Sequence, residues 1–85
     1  MRLAPTLGAL VGRAAAVAEA SAPAAGITLL DAIDPAAVAA YQPYWAARAH
    51  LLQRLGDARA PDAFERAIGL AEDPAVRQFL IDRGP

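Results

Sequence analysis

Apolar positions recur along this chain at helical spacing, and no segment shows the sustained alternation with β-branched residues expected of a strand. Pro43 to Leu55 carries Trp45, Ala49 and Leu52 on one face at i, i+4 and i+7 spacing, and Gly56 follows as a C-terminal cap. Pro61 to Ala71 places Phe64, Ala67, Ile68 and Ala71 on one face. Pro74 to Arg83 does the same with Val76, Phe79 and Leu80. Upstream, the pattern predicts a helix from Thr6 to Ala20, a second from Pro23 to Ile33, and a short turn-rich piece from Pro35 to Tyr41. Proline marks the starts, because its missing N–H costs nothing in a first helical turn. Pro5, Pro23, Pro35, Pro43, Pro61 and Pro74 each stand before an alanine-rich or apolar-periodic stretch. Asp34 and Asp73 precede two of them and read as N-caps, whose carboxylates accept the orphan N–H groups of the first turn. The predicted fold class is all-α.

Eighty-five residues suffice for one domain, residues 1–85, and are too few for two independent cores. The 56% of hydrophobic residues rests largely on alanine, which favours helix and close helix approach rather than large buried area. Eight basic residues stand against nine acidic ones, a net charge of −1, so the chain lacks the cationic excess that direct nucleic-acid binding requires. The absence of cysteine excludes disulfides, thiolate zinc sites and a cysteine nucleophile. The stretch from Met1-Arg2 to Val11 has the outline of a secretory signal, but Pro5 and Gly8 interrupt it and Arg13 arrives early. It reads instead as the start of the first helix. No stretch approaches the roughly 20 apolar residues of a membrane span, and a cytoplasmic location is the expectation.

The chain also repeats itself. At an offset of 34 residues, Val11, Ala15, Ala18 and Ala22 fall onto Trp45, Ala49, Leu52 and Gly56. The following helices match at an offset of 35, with Leu29, Ala32 and Ile33 on Phe64, Ala67 and Ile68. That period belongs to tetratricopeptide-like arrays, in which each helical hairpin leaves an apolar face that only its neighbour can cover. The expectation is two degenerate hairpin repeats with the last helix as a cap: Val76, Phe79 and Leu80 cover one end, Arg77, Gln78 and Asp82 stay wet, and Trp45 packs between the repeats.

Four stretches carry a family resemblance: Gly12 to Glu19 (GRAAAVAE), Ala22 to Ile33 (APAAGITLLDAI), Tyr41 to Gly56 (YQPYWAARAHLLQRLG) and Ala63 to Ala71 (AFERAIGLA). Together they resemble the tetratricopeptide-like C-terminal extension of a group of extracytoplasmic-function RNA polymerase sigma factors. The resemblance runs from Pro5 to about Arg83. It departs from the pattern at Gly12, which is usually asparagine, and in the segment from Gly56 to Phe64, which is one residue shorter and contains Pro61. The promoter-reading and polymerase-binding regions of such factors are not in this sequence.

The resemblance implies a regulatory domain acting by protein contacts, with the sigma core or RNA polymerase as partner when attached, and a peptide or a second copy otherwise. In such arrays the first helix of each pair lines the concave, ligand-binding surface. This implies a groove formed by Ala16 and Glu19 from the first repeat and Ala46, His50, Gln53 and Arg54 from the second. The alternative is a free-standing structural or oligomerisation module. Either way the open first-helix end predicts a weak homodimer.

Candidate chemistry is sparse. His50, the single histidine, has Gln53 and Arg54 at i+3 and i+4, neither a usual metal ligand. Ser21 is the single serine, and no phosphate-binding or nucleophilic motif is present. The sequence therefore predicts no enzyme, no cofactor and no metal. Arg54 with Asp57, and Arg66 with Asp62, are spaced as surface ion pairs.

Overall fold

The computed structural model describes residues 6–84; Pro5 and the Met1–Arg2 start of the leader-like stretch lie outside the described residues. Six helices follow one another: α1 (Leu7–Ala20), α2 (Pro23–Asp31), α3 (Pro35–Val38), α4 (Gln42–Leu55), α5 (Ala60–Leu70) and α6 (Pro74–Arg83). The described residues contain no strand.

Local chemistry sets the boundaries. Thr6 Oγ1 accepts from the Ala9 N–H at 3.0 Å and opens α1. Asp34 accepts from Ala36 N–H at 3.0 Å to open α3, and Asp73 from Ala75 N–H at 2.8 Å to open α6, as their positions before proline predict. α2 ends at Asp31, two residues earlier than predicted. Asp34 stands before Pro35, which disfavours helical backbone, so the chain leaves through the short bonds Ala32 N–H to Leu29 O and Ile33 N–H to Leu30 O. Gly56 closes α4 in the left-handed region at φ 66°, with Asp57 N–H reaching back to Leu52 O at 3.0 Å.

The helices assemble as two hairpins, α1 with α2 and α4 with α5, joined where α4 lies against α2 and α1, while α6 packs on α5. α4 is therefore covered on two sides, which explains a face the sequence reading missed. Trp45, Ala49 and Leu52 form one stripe, but Tyr44 and Leu51 are buried too. Leu51 points at α2, where its Cδ1 would touch a Cβ on Gly26, and Arg48 reaches Asp31 of α2 at 2.6 Å with its side chain only 14% exposed. Trp45 turns the other way. It is half-buried, donates from Nε1 to Val38 O at 3.1 Å and Ala39 O at 3.3 Å, and carries the Arg66 guanidinium 4.8 Å above its ring. Trp45 thus clamps the α3 turn rather than filling the seam between hairpins.

Burial repeats along the chain at a single offset of 34. Leu10, Val11, Val17 and Ala18 of α1 correspond to Tyr44, Trp45, Leu51 and Leu52 of α4, and every one is buried or half-buried. In the second helices Gly26, Leu29, Leu30 and Ile33 correspond likewise to Ala60, Ala63, Phe64 and Ala67. The offset of 35 for these helices does not hold, since it pairs exposed Ala32 with fully buried Ala67; nor does the pairing of exposed Ala15 with Ala49. α6 departs from the predicted cap. Leu80 alone is buried, while Val76 is 41% and Phe79 55% exposed.

Candidate functional site

The five residues expected to line a groove divide into two groups. Glu19 and Arg54 meet across the α1–α4 seam, Oε1 to Nη1 at 3.0 Å, with both side chains solvent-facing. Arg54 therefore does not pair with Asp57, which is taken by Arg59. The expected Arg66–Asp62 pair is likewise not formed among the described residues: Arg66 stacks on Trp45. Gln53 turns toward α6 and donates from Nε2 to the Arg83 carbonyl at 2.9 Å, satisfying one of the acceptors that a helix C-terminus leaves open.

Ala46 and His50 lie on the same side of α4 and border a cavity of about 270 Å³, completed by Phe64 from α5 and by Phe79, Leu80 and Arg83 from α6. Its walls are apolar, and its polar groups are the His50 imidazole and the Arg83 guanidinium. The small side chain of Ala46 leaves the hollow open beside two phenylalanine rings. The Arg83 guanidinium sits 4.8 Å over the Phe79 ring, an arrangement in which the ring face attracts the cation and holds it at the rim. Arg83 forms no ion pair with a carboxylate among the described residues. Ala16, expected beside Glu19, is exposed on α1.

Sequence reasoning missed Phe79, Leu80 and Arg83 as site residues because it assigned α6 to capping. The signal was present in the repeat itself, since Phe79 stands 34 residues after Trp45 as Trp45 stands 34 after Val11. That register makes α6 the counterpart of α1 and α4.

Two shallower hollows flank α6 elsewhere. One, of about 290 Å³, lies between Pro61, Phe64, Ile68 and Ile81, and the other, of about 310 Å³, between Gln42, Leu70 and Val76. Neither gathers complementary polar groups from several helices as the first does.

The electrostatics elsewhere are local. Arg59 donates from its side chain and its backbone N–H to Asp57, and these bonds hold the Asp57 carboxyl down to about 2. Among the described residues, no buried side-chain polar atom lacks a partner, and no three of His, Cys, Asp and Glu gather as a metal site would require. No helix of the described residues is long and apolar enough to cross a membrane. Comparison with protein-family models, with curated proteins and with solved structures gives no match.

Proposed function

We propose that this chain is a non-catalytic protein-interaction domain of tetratricopeptide-like type, acting in transcription regulation as the C-terminal extension of an extracytoplasmic-function sigma factor does. The observation that carries the reading is the burial register of 34 residues, shared by the α1–α2 and α4–α5 hairpins and continued by Phe79 of α6. A packed array with that period leaves one side of α1, α4 and α6 free for a partner, and the cavity bounded by Ala46, His50, Phe79 and Arg83 lies on α4 and α6. The sigma assignment itself is supported by the residues of the resemblance, above all Ala46 to Gly56 and Pro23 to Ala32. In this reading the domain contacts the sigma core or the polymerase, cytoplasmically, and does not touch DNA itself.

The test is a titration of the isotope-labelled chain with the promoter-binding regions of a sigma factor of this group whose own extension has been removed. Saturable shifts in the amide signals of α4 and α6 are expected. An unchanged spectrum at about 1 mM partner, the weak limit of measurable recognition, overturns the sigma assignment.

A second reading, a free-standing oligomerisation module, draws on the exposed Val76, Phe79 and Ile81 of α6. Sedimentation over a concentration series decides it. The weak homodimer predicts a rising mass, and a monomer at every concentration removes it.

A further inference from the structure

The cavity between α4 and α6 has a size and a charge that define its occupant more closely than "protein". Small-molecule and cofactor sites run from about 300 Å³ upward and enclose most of their ligand. At about 270 Å³, walled by Ala46, Phe64, Phe79 and Leu80, this cavity instead matches one large apolar side chain inserted as an anchor.

Charge at the rim selects what stands beside that anchor. The polar residues bordering the cavity are His50 and Arg83, and no carboxylate borders it. Glu19, the acidic residue of the expected groove, is neutralised by Arg54 across the α1–α4 seam. Asp82 of α6 accepts from Gln78, one turn along its own helix. The Arg83 guanidinium lies on the Phe79 ring, so its face is occupied and its N–H edge remains available for a carboxylate. The site is also preformed. Gln53 ties the Arg83 carbonyl to α4 at 2.9 Å, and Leu80 is buried beneath, so a guest need not order the helix that carries the cation.

We propose that the α4–α6 cavity is a docking site for a peptide segment with a large apolar side chain flanked by acidic residues, the side chain entering between Phe64 and Phe79 and a carboxylate meeting Arg83 and His50. The proposal rests on the reading of this chain as a protein-interaction domain and adds the chemistry of the partner.

The probes are three short fluorescent peptides, blocked at both ends: one with phenylalanine between glutamates, one with phenylalanine between lysines, and one with alanine between glutamates. Anisotropy with the full chain gives the affinities, and the Ala46 methyl and Phe79 ring signals locate the binding. The acidic phenylalanine peptide is expected to bind with a Kd below about 1 mM, at least tenfold more tightly than either control. Arg83→Gln should erase most of the preference for glutamate over lysine, and Phe79→Ala should weaken the acidic peptide at least fivefold. Phe79 and Arg83 are both exposed, so circular dichroism should show the fold retained in each variant. Equal affinity for acidic and basic peptides, binding without shifts at Ala46 and Phe79, or no binding at several mM overturns the proposal. The sigma titration is read separately. If the sigma core binds the Phe79→Ala variant as well as the parent, this site falls and the functional reading stands. If the acidic peptide binds here while the sigma core does not bind, the site stands and the sigma assignment falls.

Discussion

Gly26 of α2 lies so close to Ala18 of α1 that a Cβ built on the glycine would come within 2.8 Å of the alanine Cβ, and the same atom would meet Ala14 O and Leu51 Cδ1 at the same distance. The three helices α1, α2 and α4 converge at this one missing side chain. The equivalent position in the second hairpin is Ala60, which is also buried, so the repeat keeps a small residue where its two helices approach.

Gly26→Ala therefore sets two effects against each other. Helix propensity favours alanine by about 1 kcal/mol. Overpacking costs about 1–3 kcal/mol, and here it falls at the upper end, because the Ala14 carbonyl is backbone and the Ala18 Cβ cannot rotate away. A net loss on the order of 1–2 kcal/mol is expected, lowering Tm by roughly 5–15 °C in a domain of this size. A rise in Tm would show that the helices can move apart cheaply.

Gly12 is the control with the opposite sign. It lies in α1, it is exposed, and a Cβ there would meet nothing within 4 Å. Gly12→Ala should stabilise by up to about 1 kcal/mol, through propensity and a less flexible unfolded chain. Calorimetry of the two variants side by side separates propensity from packing.

The contrast between these glycines marks what the sequence could reveal. Helix starts and stops were legible because they depend on neighbours in the chain: Asp34 and Asp73 cap, and Gly56 takes positive φ, as their local sequence requires. Which residues face which helix was less legible. A single stripe accounted for Trp45, Ala49 and Leu52, but α4 has neighbours on two sides, so Tyr44 and Leu51 are buried as well. The polar partners were least legible. Arg54 has an acidic residue three positions away in Asp57, yet pairs with Glu19, 35 residues distant, and Gln53 bonds to Arg83 across 30 residues. Those partners depend on how the hairpins dock, which local spacing does not encode. The cavity was hidden for the same reason, since half of its wall comes from α6.

Asp57 gives a prediction in pH. Its carboxyl is held at about 2, below the ordinary 3.8, by hydrogen bonds from Arg59. A carboxylate whose pKa is lowered by folding contributes stability that is fully present above the unfolded value and is lost as pH falls through the folded one. The turn between α4 and α5 should keep its geometry at pH 4 and loosen between about pH 4 and 2. Carboxyl carbon shifts of Asp57 followed by NMR test this. A midpoint near the ordinary value would mean that the Arg59 bonds do not persist in solution. Arg59→Ala should move the midpoint upward.

The last prediction concerns how firmly α6 is attached. Three apolar side chains of this helix, Val76, Phe79 and Ile81, remain 41–55% exposed, so Leu80 is its one buried anchor and the Gln53 bond to Arg83 O its one polar tie to α4. A buried leucine truncated to alanine costs about 2–5 kcal/mol where the whole fold depends on it. Here the loss is limited by the free energy with which α6 docks, because beyond that point the helix detaches and the hairpins remain. Leu80→Ala should therefore abolish amide protection in α6 while α1, α2, α4 and α5 keep most of theirs, a local opening rather than global unfolding. Gln53→Ala removes one exposed hydrogen bond, worth about 0.5–1.5 kcal/mol, and should speed exchange near Arg83 and Gly84 with little change in Tm. Hydrogen exchange read helix by helix distinguishes the cases. If Leu80→Ala lowers protection equally in all helices, α6 belongs to one cooperative unit with the hairpins, and the Ala46–Phe79 cavity is as stable as the fold itself.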